Sequence, residues 1–347
     1  MSAETRQAWT HPLPSEWAVR PPTTRDVDGV VAMMNARTQA FYGENQSTPH
    51  DVEIWWTSPR FELENDVRLI LDSRGSVAGL VSVDNPGPPY ARVECSAVVH
   101  PQYAGLADAW DGLYAWGLGR ARELVPLASP EIRVVAECTA VAQDGARRAA
   151  LERAEFAPVR VANHMGIGLS SSVPPARWPS GVSVRTANVE EDLRAIASLF
   201  LEAWRDHWGF IARPFDQVLA DWREGIEADG ERFDPTLWFL AVEGDEVVGM
   251  SLCNSHIADD ATRGYVQGLG VRPAWRKRGI ALALLHHTFA EFQRRGYAGV
   301  ELDMDSQNLT GALRVYERAG LRVLRQSVSY EKELRPGTDL ATRELGA

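Results

Sequence analysis

The chain is poor in cysteine, in positive charge and in long apolar runs, and each shortage closes off a class of function. Cys95, Cys138 and Cys253 are the only three cysteines among 347 residues. An odd number without zinc-ligand or redox spacing predicts no metal site and fits a reducing, cytoplasmic setting. Lys and Arg total 36 against 47 Asp and Glu, a formal net charge of −11. Such a surface disfavours nucleic acid and anionic membranes, so a basic pocket has to be local. No apolar run approaches the roughly 20 residues of a membrane span. The start, Met1 to Trp17, has neither the basic end nor the apolar centre of a secretion signal.

What is present reads as a soluble globular chain, 45% hydrophobic and 24% charged, and its length fits two domains. The order of predicted elements repeats. Val19-Arg20 is echoed by Val184-Arg185, Val77-Ala78-Gly79 by Val247-Val248-Gly249, and Val99-His100-Pro101 by Val271-Arg272-Pro273. Glu152-Arg153-Ala154 is echoed by Glu317-Arg318-Ala319 at nearly the same offset. A tandem duplication of one α/β unit explains this. The expected division is a tail over 1–15, a first domain over 16–170, a Ser/Pro-rich linker over 171–181, a second domain over 182–335, and a polar tail over 336–347.

One stretch concentrates the chemistry. Tyr265 to Val271 alternates apolar residues and ends at Pro273, which predicts a strand. Arg276-Lys277-Arg278-Gly279-Ile280-Ala281 follows, and Ala281, Leu285, Thr288, Phe289 and Phe292 then recur at helical spacing up to Gly296. Three cations and a glycine therefore occupy a strand-to-helix turn. Unpaired amides and the dipole at a helix start favour a polyphosphate, and a glycine lets the backbone approach it. A solvated basic loop has the same local sequence. Further on, Glu301, Asp303 and Asp305 alternate with apolar residues on a strand, and Tyr316 lies on a helix with Ala312, Val315 and Ala319.

The run Arg276 to Ala281, with Asn308, Ala312, Tyr316, Gly320 and Leu321 in order behind it, resembles the two signatures of the GNAT superfamily of acyl-CoA-dependent N-acetyltransferases. The asparagine-to-tyrosine spacing is one residue longer than the common form. The resemblance implies an α/β fold of two tandem GNAT-like domains, each a mixed, mostly antiparallel central sheet flanked by helices. It implies acetyl-CoA as co-substrate, bound by Leu269, Gly270, Val271, Arg276, Lys277, Arg278, Gly279, Ile280, Ala281, Asn308 and Tyr316. Tyr316 would protonate the departing thiolate, since a phenol with a pKa of about 10 is protonated at neutral pH.

Asp303 and Glu301 are the candidate bases on the strand, against the alternative of an ion-paired face, and Asp206 with His207 form a second candidate set. Trp204, Trp208, Trp222 and Trp238 either line an apolar acceptor cleft or fill the core. The first half opposes Ala104, Ala107 and Ala109 to Arg276, Gly279 and Ala281, and Gln143 and Leu151 to Asn308 and Tyr316, so it lacks the basic turn and the hydroxyl. Tandem GNAT architecture with only the second copy active resembles mycothiol synthase and its relatives, although Tyr265 stands where that enzyme's strand carboxylate would fall. The expectation is an N-acetyltransferase of a small-molecule primary amine, a monomer or homodimer. A peptide N-terminal acetyltransferase and a non-catalytic acyl-CoA sensor or scaffold are the alternatives.

Overall fold

The computed structural model describes residues 9–58, 61–257, 260–306 and 311–343. In chain order it forms β1 (Ala18–Arg20), α1 (Val27–Tyr42), α2 (Pro49–Thr57), α3 (Leu63–Asp66), β2 (Val67–Leu71), β3 (Val77–Asp84) and β4 (Arg92–Val99). Next come α4 (Ala107–Leu124), β5 (Val134–Val141), α5 (Gly145–Arg153) and β6 (Ala157–Gly168). The order then recurs as β7 (Val182–Thr186), α6 (Val189–Trp204), α7 (Phe215–Asp229), β8 (Trp238–Glu243), β9 (Glu246–Asn254) and β10 (Arg263–Val271). It ends with α8 (Ile280–Arg294), β11 (Gly299–Asp305), α9 (Ala312–Arg318) and β12 (Arg322–Arg335).

The described residues form two compact units, and neither is a simple half of the chain. The first runs to Val161 and adds Ser327–Leu340, while the second is Ala162–Gln326 with 341–343. In the first unit β1 to β4 pair antiparallel in sequence order and β4 pairs parallel with β5. The strand completing that sheet is the 327–335 part of β12, antiparallel to β5. In the second unit β7 to β10 pair antiparallel, β10 pairs parallel with β11, and β11 takes the 162–168 part of β6 as antiparallel neighbour.

The anticipated boundaries at 170 and 335 therefore cut differently from the structure. The physical reason is strand pairing. Residues 162–168 satisfy their backbone groups on β11, and Ser327–Arg335 does so on β5, each across a long sequence separation that local patterns do not encode. The anticipated loose start is also partly packed, since Trp9 and Leu13 lie against the first unit's core.

Each unit repeats one brace. Arg20 grips Asp26 through two hydrogen bonds of 2.8 and 2.7 Å, and Arg185 grips Asp192 through two of 2.6 and 2.7 Å. Both link the first strand of a unit to the start of its first long helix. The carboxylate in each also accepts a backbone N–H at that helix start, from Thr23 at 2.7 Å and from Asn188 at 2.8 Å. A bidentate pair doubled in this way is the three-dimensional trace of the duplication.

In the second unit the sheet is covered on both faces. Leu284, Leu285, Phe289 and Phe292 of α8 are fully buried with Val248, Val300 and Leu302 from the strands. Ile196, Ala197 and Leu199 of α6 pack with Trp238, Leu240, Met250 and Leu252. Fit is tight enough to dictate a residue: a Cβ on Gly264 would lie 2.3 Å from the Phe292 ring. Gly264→Ala is expected to overpack this contact and destabilise the second unit by about 1–3 kcal/mol. Equal denaturation midpoints for variant and parent would refute that packing.

Candidate active site

The site is built at the carboxyl end of β10. The parallel pairing of β10 with β11 runs only from Arg263 with Gly299 to Tyr265 with Glu301. Both strands then continue without pairing to each other, and β10 carries a register shift between Val266 and Gly268 against β9. Gly268, at that shift, suits the bulge it makes. Gly270 has a different reason: a Cβ there would meet Trp204 at 2.6 Å, so glycine lets α6 pack directly on the strand.

After β10, Pro273–Trp275 makes a single turn of 3-10 helix, with Trp275 N–H on the Arg272 carbonyl at 2.9 Å. Lys277 and Gly279 then take left-handed backbone conformations, φ 62° and 88°. The glycine accepts this without a steric cost, whereas the lysine is held there against its preference. The first α8 bond is Ala283 N–H to the Gly279 carbonyl at 3.0 Å. The amides of Ile280, Ala281 and Leu282 thus precede the helical ladder and are free to donate to an anion at the positive end of the helix. A Cβ on Gly279 would meet nothing within 4 Å, so the space over the turn is open.

The three cations of the turn have different duties. Arg276 donates to Asp206 at 2.7 Å, to the Ala203 carbonyl at 2.9 Å and to the Val271 carbonyl at 3.3 Å, tying the end of α6 to the end of β10. Arg278 pairs with Glu243 at 2.6 Å, and Trp275 donates its indole N–H to the same carboxylate at 2.7 Å. Those two bonds hold Glu243 below the ordinary carboxylate range. Among the described residues no ion pair involves Lys277, so its charge is not offset within the loop.

A cleft of about 620 Å³ opens between these parts. Of the residues anticipated for the cofactor, Leu269, Gly270, Val271, Arg276, Lys277, Gly279, Ile280, Ala281 and Tyr316 all line it, and Arg278 does not. Asn308 lies outside the described residues. Tyr316 comes from the short helix α9, whose N-cap Gly311 is left-handed at φ 77°. Burial pushes its phenol up to about 12, and its hydroxyl has no hydrogen-bond partner among the described residues. It stands as a protonated donor facing the cleft.

Asp206 and His207 belong to the same cleft. Burial and the charge of Arg276 lower the His207 pKa, so its ring is neutral at pH 7 and stands beside Trp204 at 5.4 Å between centroids. Of the four tryptophans weighed for an acceptor cleft, Trp204 lines it, whereas Trp238 is buried in the core with Trp222 against its face at 5.7 Å. The loop carrying Asp206 and His207 is held by a segment anticipated as a fraying tail. Thr342 donates its N–H to the Phe210 carbonyl at 2.9 Å and accepts from Gly209 N–H at 2.7 Å. Its hydroxyl reaches the Arg205 carbonyl at 3.2 Å, and Arg343 covers the Trp208 ring at 4.8 Å.

The strand carboxylates lie on the neighbouring strand. Glu301 is buried and pairs with Arg263 at 2.7 Å, while the Asp303 side chain is 55% exposed. Tyr265 donates its hydroxyl to Asp303 at 2.7 Å. Between the two carboxylates sits the ring of His164, 2.5 Å from Glu301 and 2.8 Å from Asp303. Burial works against a charge on His164, but its bonds to Asp303 and Glu301 outweigh that and raise its pKa. Burial likewise opposes Asp303, and His164 and Tyr265 more than compensate, so its pKa is lowered. Sequence reasoning missed His164 because its only signal is the strand pair that sets it opposite Asp303. Among the described residues no group of three or more His, Cys, Asp or Glu is arranged to hold a metal ion.

A mixed sheet whose parallel pair parts above a helix start, beside a half-buried tyrosine, defines an acyl-CoA-type transferase fold. The model of the acetyltransferase (GNAT) family matches residues 193–321, which contain the turn and Tyr316. A GCN5-related N-acetyltransferase from Sphaerobacter thermophilus has 31% sequence identity and a TM-score of 0.79, covering 94% of this chain and 99% of its own. The chain belongs to the GNAT family. A tandem GNAT protein from the clavulanic acid biosynthesis pathway shares the two-unit fold at 16% identity, with a TM-score of 0.67 over 93% of this chain and 100% of its own.

Among sequence relatives, a mycothiol acetyltransferase from Streptomyces scabiei is 31% identical over 45% of this chain and 47% of its own length. One from Streptomyces coelicolor is 27% identical over 78% of this chain and 81% of its own. The chain spans about half the length of the first of these curated relatives, 47%.

Deleting residues 341–347 is expected to release the 205–211 loop. Hydrogen exchange at the Gly209 amide should speed by at least tenfold while the α8 amides keep their protection. Unchanged protection at Gly209 would show that the loop holds itself.

Proposed function

We propose that the chain is an acetyl-CoA-dependent N-acetyltransferase acting on a primary amine of a small molecule, with catalysis in the second unit. The reading is carried by one juxtaposition: a protonated, unpartnered Tyr316 hydroxyl and the open anion-binding turn at α8 line the same cleft. The residues fit coenzyme A chemically. Three free amides, the helix dipole and Lys277 suit a diphosphate, and the β10 backbone from Leu269 to Val271, paired with β9 but not with β11, suits an amide-bearing arm that pairs like an added strand.

Transfer makes an N–C bond to the acetyl carbon and breaks its C–S bond, leaving a thiolate and an ammonium-derived proton. Tyr316 supplies the proton that the thiolate needs. The amine's own proton has to leave first, because an aliphatic ammonium has a pKa near 10.4. Of the anticipated bases, Glu301 is buried between Arg263 and His164, and Asp303 has a depressed pKa that suits holding an ammonium. His207, neutral and lining the cleft, is the ring best supported as the proton acceptor. A backbone N–H near Val271 is suited to the developing oxyanion.

The first unit supports a structural role. Its corresponding turn, Ala104 to Ala107, carries no cation, and the buried Trp110 closes over it with its indole N–H on the Ala104 carbonyl at 3.0 Å. The mycothiol acetyltransferase names of the curated relatives favour a small-molecule acceptor over a peptide N-terminus, while Tyr265 in place of a strand carboxylate argues for a different acceptor from theirs. A cytoplasmic enzyme fits the unpaired cysteines.

Thiol release from acetyl-CoA across an amine panel tests the reading. Tyr316→Phe should lower kcat by about 10²-fold on the best amine, with little change in the KM for acetyl-CoA. Binding of acetyl-CoA without turnover of any amine, together with an indifferent Tyr316→Phe, would instead support a sensor.

A further inference from the structure

We infer that His164 is a positioning residue for the acceptor: held with both ring nitrogens protonated between Glu301 and Asp303, it keeps Asp303 ionised and oriented to receive a cationic amine. The acceptor part of this rests on the transferase reading above. The argument is one of proton counting. Nδ1 lies 2.8 Å from Asp303 Oδ1 and Nε2 lies 2.5 Å from Glu301 Oε2. Each contact needs a proton, and a neutral imidazole carries only one. The second proton is either on the ring or on a carboxyl group.

The other partners decide between these. The remaining oxygen of Glu301, Oε1, faces the Arg263 guanidinium at 2.7 Å. The remaining oxygen of Asp303, Oδ2, accepts the Tyr265 hydroxyl at 2.7 Å. Both carboxylates are thus arranged as anions on both oxygens, so the ring carries the charge. Glu301 and Asp303 then face the cations Arg263 and His164, and Arg263 also pairs with Asp260 at 3.3 Å. Arg325, on the strand after α9, adds a further positive charge that opposes protonation of His164 and favours ionised Asp303. Tyr265 stays a neutral donor because burial and the charge of Asp303 raise its pKa.

The consequence is functional because the chain of bonds has one buried and one open end. Glu301 is 3% exposed and closes the inner end. Asp303 lies two residues beyond the last pair that joins β10 to β11, with its side chain 55% exposed. A carboxylate pinned on both oxygens and depressed in pKa is a poor base and a good partner for an ammonium group. It therefore selects acceptors that arrive as cations. A further carboxylate, Asp305, sits on the same strand face near enough to His207 to favour its protonated form, which links this face to the cleft.

Ring ¹⁵N spectra of the full chain, recorded from pH 6 to 9, test the protonation directly. Both His164 nitrogens should show imidazolium shifts at pH values where a free histidine ring is already neutral, and Asp303→Asn should bring the transition down. A ring that turns neutral where a free histidine does, or a transition indifferent to Asp303→Asn, would overturn the assignment. Steady-state kinetics then test the role, with retained CoA binding as the check on folding. His164→Gln should raise the KM for the amine about tenfold and leave the KM for acetyl-CoA unchanged. Equal changes in both constants, or in neither, would reduce His164 to a structural residue. A parent chain that acetylates no amine would sink the transferase reading and the acceptor role together, while the ring spectra would still decide the protonation.

Discussion

The second unit depends on one constraint, the parting of two parallel strands. β10 and β11 pair over three residues and then run on without each other. Backbone groups left unpaired inside a sheet are costly unless something else satisfies them. The gap is therefore tolerated where a ligand backbone can enter and where the flanking elements keep the strands apart. Trp204 packs on Gly270 from one face, and α8 is anchored beneath the other by Leu284, Phe289 and Phe292. The cleft is what remains between them.

Charge is distributed around that gap in a way that a formal net charge conceals. Arg276 and Arg278 are neutralised by Asp206 and Glu243, so they work first as struts that fix the turn, the α6 end and the β8 end. That leaves the helix start and Lys277 as the groups suited to an anion. The two units diverge at this point. In the first, Trp110 and fully buried Leu151 occupy positions that carry openness or a hydroxyl in the second. The first unit's turn carries no cation, and the Trp110 indole N–H donates to its Ala104 carbonyl.

Much of this was legible in the sequence because it is local. The run from Tyr265 to Phe292 declared a strand, a basic glycine turn and a helix, and the structure has them in that order. The duplication was legible from echoed strand ends, and the doubled Arg–Asp braces bear it out. What stayed hidden is non-local. β6 and β12 carry polar residues such as Asn163, His164 and Gln326, and their partners are set by pairing across long sequence separations. Without that register, Glu301 and Asp303 looked like two equivalent residues on one strand face. With His164 placed between them they are unequal, one buried and one exposed. The polar residues after Leu334 read as a tail because composition cannot show that Thr342 finds backbone partners at Gly209 and Phe210.

The central claim is that the left-handed, cationic turn before α8 grips the diphosphate of coenzyme A. Calorimetric titration of CoA into the parent chain and into an Arg276→Ala, Gly279→Asp double variant tests it most directly. The account predicts measurable binding by the parent and a loss of at least 100-fold in the variant, since a carboxylate would stand in the open space above the helix start and a strut of the turn would be gone. Undiminished affinity in a folded double variant would contradict it.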